Sequence, residues 1–401
     1  MHRSAKQFVA PPAVTRLHIE RDPVHPPSEY ESGWGLTIEE MVECVERVLR
    51  DIGLTKNFAP LVILMGHGSR CLNNPHESAY HCGACAGNSG GPNARALAAM
   101  LNERRVRRHL EQQGIAIPEE TYFVGAEHNT ASEEIAFYDL ELVPAGSIRH
   151  LRNARQLFRQ VAQRNAHERC RRFESAPLDI SQNAALLHVQ HRTEDLAQTR
   201  PEYGNGTNAL CFVGRRCRLR GLFLDRRSFL MSYDPEQDEG DGSILARILS
   251  AVVPVCEGIN TLYTFSAIDP IGFGSGTKLP HNVTSLLGVM DGAASDLRTG
   301  LPWQGVDIHE PVRLLFVIES KPDTMHRIIQ ANAVIGRICK NQWSHLSLLD
   351  PDSDAIWYFD GVEFNPYTGL KTPLPRAHSS HSWYQGKRDH LEFARIEEQS
   401  P

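Results

Sequence analysis

Between residues 61 and 95 the chain gathers its soft donor atoms into one short stretch. An apolar run, Leu61-Val-Ile-Leu-Met65, stops at Gly66 and is followed at once by His67, Gly68 and Ser69. Asn73-Asn74 come next, then Ser78-Ala-Tyr-His-Cys82-Gly-Ala-Cys85, then Asn93-Ala-Arg95. Imidazole and thiolate are donors that suit zinc, and a loop rich in glycine, asparagine and serine lets them converge. A histidine just past a buried strand also sits where open α/β sheets hold ligands, beyond the carboxyl ends of the strands. Each residue has a plainer reading. His67 alone reads more readily as a hydrogen-bonded polar residue than as a ligand. The Cys82-x-x-Cys85 spacing fits metal binding, thiol redox chemistry or simple packing. The conjunction of His67 and Cys82 in one permissive segment is what raises metal binding.

The elements that must position these residues read as α/β. Thr37-Ile-Glu-Glu40 is a capping box. Ile38, Met41, Val42, Val45, Val48, Leu49 and Ile52 mark one face of the helix it starts, and Gly53 closes that helix. Residues 61–65 are apolar throughout, which fits a central parallel strand. Asn93 is expected to cap a helix running to about Gln113, with Gly114 at its end. Residues 121–125 read as a strand ending near His128-Asn129, and 147–172 as a charged amphipathic helix. After a soft boundary near 175, residues 209–213, 221–224 and 313–318 read as strands, and 243–253 and 325–339 as helices. The expected fold is α/β: a layered, mostly parallel sheet with flanking helices. Its stretches are a mobile N-terminal segment 1–33, a site-bearing α/β portion 34–175, a second α/β portion 176–365 and a flexible tail 366–401.

Composition narrows the function class. Hydrophobic residues make up 41% and charged residues 22% of 401, an ordinary globular balance that allows a sizeable core. The net charge of −6 argues against nucleic acid as a partner, and the basic runs at 104–108 and 215–220 read as solvated surface. Nine cysteines is an odd number with no small disulfide framework, and the N-terminus lacks an apolar signal region, so a reducing cytoplasmic setting is expected. No stretch of about twenty apolar residues stands out. The longest, Ile244–Ile259, is interrupted by Arg247 and Glu257, so membrane contact is expected through a partner or the surface. The glycine-rich Gly272–Lys278 lacks the Walker spacing of a nucleotide loop.

The string Gly66-His-Gly-Ser, Asn73-Asn-Pro, Ser78-Ala-Tyr-His-Cys82-Gly-Ala-Cys85, Asn93-Ala-Arg95 resembles the zinc-binding segment of the DabA family. Those proteins are cytoplasmic subunits of bacterial inorganic-carbon uptake complexes. The resemblance continues at His128-Asn129-Thr130, Arg200-Pro-Glu-Tyr-Gly204, Ser232-Tyr-Asp-Pro235, His281-Asn-Val283 and His309-Glu-Pro311, and covers most of residues 34–360. It implies a β-carbonic-anhydrase-like core with Zn2+ as cofactor. The family's histidine ligand matches His67 and one of its cysteine ligands matches Cys82. Cys85 falls in the motif without being a family ligand. Ser69, Asn73, Arg95, His128 and Cys85 are the residues expected around the ligands.

The family's other two ligands come from an upstream Cys-x-Asp, and no Cys-x-Asp occurs in this chain. The chain therefore reads as the C-terminal portion of the family protein, with the N-terminal part of the fold missing. Either a separate chain supplies the pair, or Cys71, His76, His81 or Cys85 substitutes locally. If the ligands are supplied, the resemblance implies hydration of CO2 to bicarbonate coupled to uptake. It also implies a membrane-embedded, ion-translocating DabB-type subunit as partner, and a peripheral position on the cytoplasmic face of the bacterial inner membrane. The alternatives are a truncated, non-catalytic remnant and a stand-alone carbonic anhydrase; thiol–disulfide exchange at Cys82 and Cys85 is a weaker one.

Overall fold

The computed structural model describes residues 16–22, 24, 26–29, 33–71, 81, 82, 85, 87–195, 206–238, 240–276, 300–369 and 372–397. Helix α1 (Ile38–Asp51) starts at the expected capping box. Thr37 Oγ1 accepts from Glu40 N, and the Glu40 carboxylate accepts from Thr37 N at 2.8 Å. Its apolar face, Met41, Val42, Val45 and Leu49, packs with Leu101, Val106, Leu110 and Phe123 into the first core. Strand β1 (Leu61–Gly68) follows, then α2 (Gly91–Asn102), α3 (Arg104–Gln112), β2 (Tyr122–Asn129) and β3 (Glu134–Phe137). The strands form a sheet of order β1-β2-β3, with β1 and β2 parallel and β3 antiparallel. Among the described residues β1 is thus an edge strand rather than a central one, and its Met65 and His67 are exposed.

The helix expected from Asn93 starts earlier and is broken. Gly90 takes the cap position with Pro92 in the first turn, and the Glu103 carboxylate caps α3 by accepting from Arg105 N. The early start follows from close packing. A Cβ on Gly66 would meet the Gly90 carbonyl and lie 2.6 Å from Gly91 N, so bare backbone is needed where α2 abuts β1.

Helices α4 (Ala145–Cys170) and α5 (Gln182–Arg192) form a hairpin with its own small core of Ala166, Cys170, Phe173, Ala185 and Val189. Beyond it lie β4 (Leu210–Gly214), β5 (Leu222–Phe223), β6 (Ser228–Ser232), α6 (Ser243–Ile268), β7 (Leu315–Glu319), α7 (Pro322–Ala331), α8 (Ala333–Lys340), β8 (His345–Leu349), β9 (Ile356–Phe359) and β10 (Phe364–Pro366). All of these strands but β5 make a six-stranded sheet of order β10-β9-β8-β7-β4-β6, parallel from β6 to β8 with two antiparallel strands at one edge. The mixed α/β class is as expected. The helix expected over 325–339 is split at Asn332, whose side chain accepts from Val334 N and Ile335 N. Helix α6 runs fifteen residues past the expected 253 (268 − 253), carrying Pro254 inside it.

Residues 372–397, expected to fray, are fastened. Strands β11 (Arg376–Ala377) and β12 (Ala394–Ile396) pair with each other, β12 also pairs with β5, and α9 (Ser380–Tyr384) lies between β11 and β12 in sequence. Arg388 donates to the carbonyls of Phe173 (2.6 Å) and Ala176 (2.7 Å), Arg171 donates to the Asp389 carbonyl (2.7 Å), and the Asp225 carboxylate accepts from Leu391 N (2.9 Å).

Candidate functional site

His67 and His128 are register partners at the carboxyl ends of β1 and β2. Residues opposite one another in a parallel pair project to the same face of the sheet, so the two imidazoles share one side of the crevice. His67 is open to solvent on one side. Partial burial on the other, together with His128 and His81, pulls its pKa below the ordinary histidine value, against the opposing pull of Glu127. A neutral imidazole at neutral pH is the form that ligates a metal.

The segment that carries the cysteines is pinned back onto this strand end. Ser69 N donates to His81 Nδ1 at 2.9 Å, and Gly90 N donates to the His67 carbonyl at 2.8 Å. Between those anchors Cys82 makes a bridge with Asn88, and Cys85 N and Gly87 N both donate to the Cys82 carbonyl, at 3.0 and 3.1 Å. This tight turn brings the two thiols together. Burial and the Cys82 thiol push the Cys85 thiol up, while Asn93 Nδ2, 3.3 Å from Cys85 Sγ, works the other way. With the helix start at Gly90, Asn93 lies inside α2 and its side chain is committed to the cysteine turn. All nine cysteines are free thiols.

Two buried carboxylates that the sequence reading did not single out organise the surroundings. Glu127, one residue before His128, receives Arg70 at 2.8 Å, the Tyr138 hydroxyl at 2.9 Å and Ser89 at 2.5 Å. Burial, with the Glu127 bond and charge, pushes the Tyr138 phenol up to about 12. Glu133 accepts from His128 Nε2 at 2.9 Å, pairs with Arg169 at 2.9 Å and is bonded by Asn165. Burial would raise the Glu133 carboxyl, but Arg169 and His128 hold it below the usual range. Its backbone has φ +62°, a left-handed conformation that costs a non-glycine residue energy and is kept only where surrounding contacts fix it. A lone carboxylate following the uncharged run Tyr122–Ala126 within one strand, as Glu127 does, was the available signal.

The expected neighbours fall as follows. Ser69 is fully buried at the end of β1, and His128 stands beside His67. Arg95 forms a two-pronged ion pair with Asp139, at 2.7 and 2.5 Å, which raises its pKa and ties α2 to the loop after β3. Asn73 and His76 lie outside the described residues, as do Arg200–Gly204 and His281–Val283. Among the described residues no three His, Cys, Asp or Glu side chains converge as metal donors. The donors present, one imidazole held neutral and a thiol on an anchored turn, fit zinc in kind while supplying two of the three or four protein ligands such sites normally have.

The sequence profile described as "Probable inorganic carbon transporter subunit DabA" matches residues 1–344. The chain belongs to the DabA family. It is 51% identical over 406 residues to probable inorganic carbon transporter subunit DabA 2 of Rhodopirellula baltica, covering 99% of this chain and 37% of that protein. A Sorangium cellulosum relative is 47% identical over 387 residues, covering 96% of this chain and 38% of the relative. The Azotobacter vinelandii relative is 44% identical over 371 residues, covering 91% and 43%. The chain thus spans little more than a third of the length of the first two DabA proteins. No solved structure matches it.

Proposed function

We propose that this chain is the part of an inorganic-carbon transporter subunit that contributes His67 and Cys82 to a zinc centre of β-carbonic-anhydrase type, hydrating CO2 to bicarbonate during uptake. The observation that carries this reading is the placement of the His67 imidazole at the end of β1, with the Cys82 turn anchored over the same strand end by His81 and Gly90. Zinc would supply Lewis-acid chemistry that makes water acidic enough to ionise near neutral pH. The remaining donors come from outside the described residues, from another part of the family polypeptide or a separate chain.

The residues present have definable tasks. His67 offers a nitrogen lone pair. Glu133 fixes the orientation of the His128 ring by accepting from Nε2. Glu127 holds Arg70 and Ser89 and so ties the residues after β1 to those just before α2. In this reading the partner is a membrane-embedded, ion-translocating subunit and the chain sits on the cytoplasmic face of the inner membrane. One helix among the described residues, α6, is long and apolar enough to cross a bilayer by length and composition. Its buried face packs into the core of the six-stranded sheet, with Leu245, Leu249, Val253 and Cys256 inside.

The test is zinc content and CO2 hydration of the Rhodopirellula baltica relative, with alanine at the positions aligned with His67 and Cys82. Near-stoichiometric zinc in the parent, lost together with hydration in each variant, is the expected result. Zinc retained in both variants would defeat the reading.

A further inference from the structure

Helix α6 presents an exposed face without charge. Its inner face is part of the main core, but Ala251, Val255, Gly258, Leu262, Phe265 and Ile268 face outward. Phe265 is 49% and Ile268 64% exposed. From residue 248 to 268 the one charged side chain is Glu257, which is buried and bonded to Ser344 and Thr261. The surface continues past the helix end through Ile271, 81% exposed, and Phe273, whose ring lies 5.3 Å from that of Phe265. Trp303, 54% exposed, belongs to a short helix beside α6. The solvent face of a surface helix ordinarily carries charged and polar side chains. A contiguous apolar patch marks a place where something docks.

The charges around this face decide what fits. Helices that lie on acidic lipid carry lysine and arginine on their polar flanks. Here Arg247 at one end is tied to Asp51, and Asp269 stands at the other. A net charge of −6 adds repulsion from such a surface. Transient protein contacts are about as polar as ordinary surface, whereas permanent ones resemble a core cut in half. The α6 face is of the second kind, and it needs a permanent companion. The Rhodopirellula baltica relative carries 63% of its length (100 − 37) outside the stretch aligned with this chain. We propose that the exposed face of α6, with Ile271, Phe273 and Trp303, is an internal interface of the family protein. Its occupant is the polypeptide that the longer relatives carry outside the aligned stretch. This rests on the α6 face and on family membership alone, and is independent of the zinc centre.

Hydroxyl-radical footprinting tests it. In this chain alone, Phe265, Phe273 and Trp303 should be oxidised readily. In the full-length Rhodopirellula baltica relative the aligned positions should react several-fold more slowly, because the core of an interface is packed and closed to solvent like a protein interior. Equal reactivity in the full-length protein would overturn the proposal. So would protection of this chain alone that grows with its concentration, which would assign the face to a second copy. Protection that requires vesicles of acidic phospholipid would assign it to a membrane and would equally overturn it. A variant pair guards against misfolding. Leu262→Gln, Phe265→Gln and Ile268→Gln together should leave the melting temperature of this chain unchanged, while the aligned changes lower that of the full-length relative. An unchanged full-length relative would count against the proposal.

Discussion

Replacing Glu133 by glutamine should loosen the end of β2 more than any surface change nearby. The Glu133 side chain is 4% exposed and its partner Arg169 is 2% exposed, with 2.9 Å between them. Arg169 is so thoroughly buried that its pKa is pulled down to about 10 even with Glu133 beside it. Glutamine keeps the shape and removes the charge, which leaves a guanidinium buried without its counter-ion. Breaking one side of a buried pair costs about 3–5 kcal/mol. His128 Nε2 loses its carboxylate acceptor in the same step. Amide exchange across β2, followed by mass spectrometry, reads the cost locally. At roughly a factor of ten for each 1.4 kcal/mol, exchange should accelerate by about two to three and a half orders of magnitude. Glu133→Gln combined with Arg169→Met should recover much of the loss, because neither charge is then left alone. Acceleration below about tenfold, or no recovery in the double variant, would refute the view that this pair clamps the site.

Two further outcomes follow from the same geometry. Gly125→Ala would place a methyl 2.6 Å from Arg95 Cα, against backbone that cannot step aside locally; overpacking of this kind costs about 1–3 kcal/mol and should lower the melting temperature, and an unchanged melt would show that α2 can shift off β2. His167 donates from Nε2 to the Ile180 carbonyl and accepts from the Tyr384 hydroxyl, both at 2.8 Å, and burial pulls its pKa below the ordinary value. The folded pKa lies below the unfolded value of about 6.5, so the unfolded chain takes the proton first as the pH falls. The stability that neutral His167 contributes is complete above that value and declines in the window beneath it. Melting scans between about pH 7.5 and 5.5 should show a smaller decline for His167→Gln than for the parent; identical slopes would remove His167 from the acid response.

Much of the scaffold was legible because local chemistry dictates it. The Thr37 capping box, the apolar run into His67 and the strand at Leu315–Glu319 are set by residues adjacent in sequence. What failed to show depends on contacts made at a distance. Asn93 looked like a cap, but the close approach of α2 to Gly66 moves the helix start to Gly90 and frees Asn93 for Cys85. The break at Glu103 and the split at Asn332 are made by side chains that cap the next helix, a choice periodicity does not register. The C-terminal segment reads as loose because its proline, histidine and charge suit disorder, whereas Arg171, Arg388 and Asp225 hold it through backbone groups. In the site, His67 and Cys82 stood out by type and spacing. His128 was expected among the neighbours of the ligands, but its place directly opposite His67 is set by the sheet register, which the sequence does not display. Glu127 and Glu133 stayed hidden for the same reason.

The most direct measurement is a cobalt(II) titration of the purified chain, read as thiolate-to-metal charge-transfer absorption, alongside His67→Ala, Cys82→Ala and Cys85→Ala. Cobalt stands in for zinc at nitrogen and sulfur sites and reports on its donors. The expected result is a thiolate band that Cys82→Ala abolishes, His67→Ala weakens and Cys85→Ala leaves in place. Absorption that survives unchanged in Cys82→Ala or in His67→Ala would contradict the assignment of His67 and Cys82 as the metal donors of this chain.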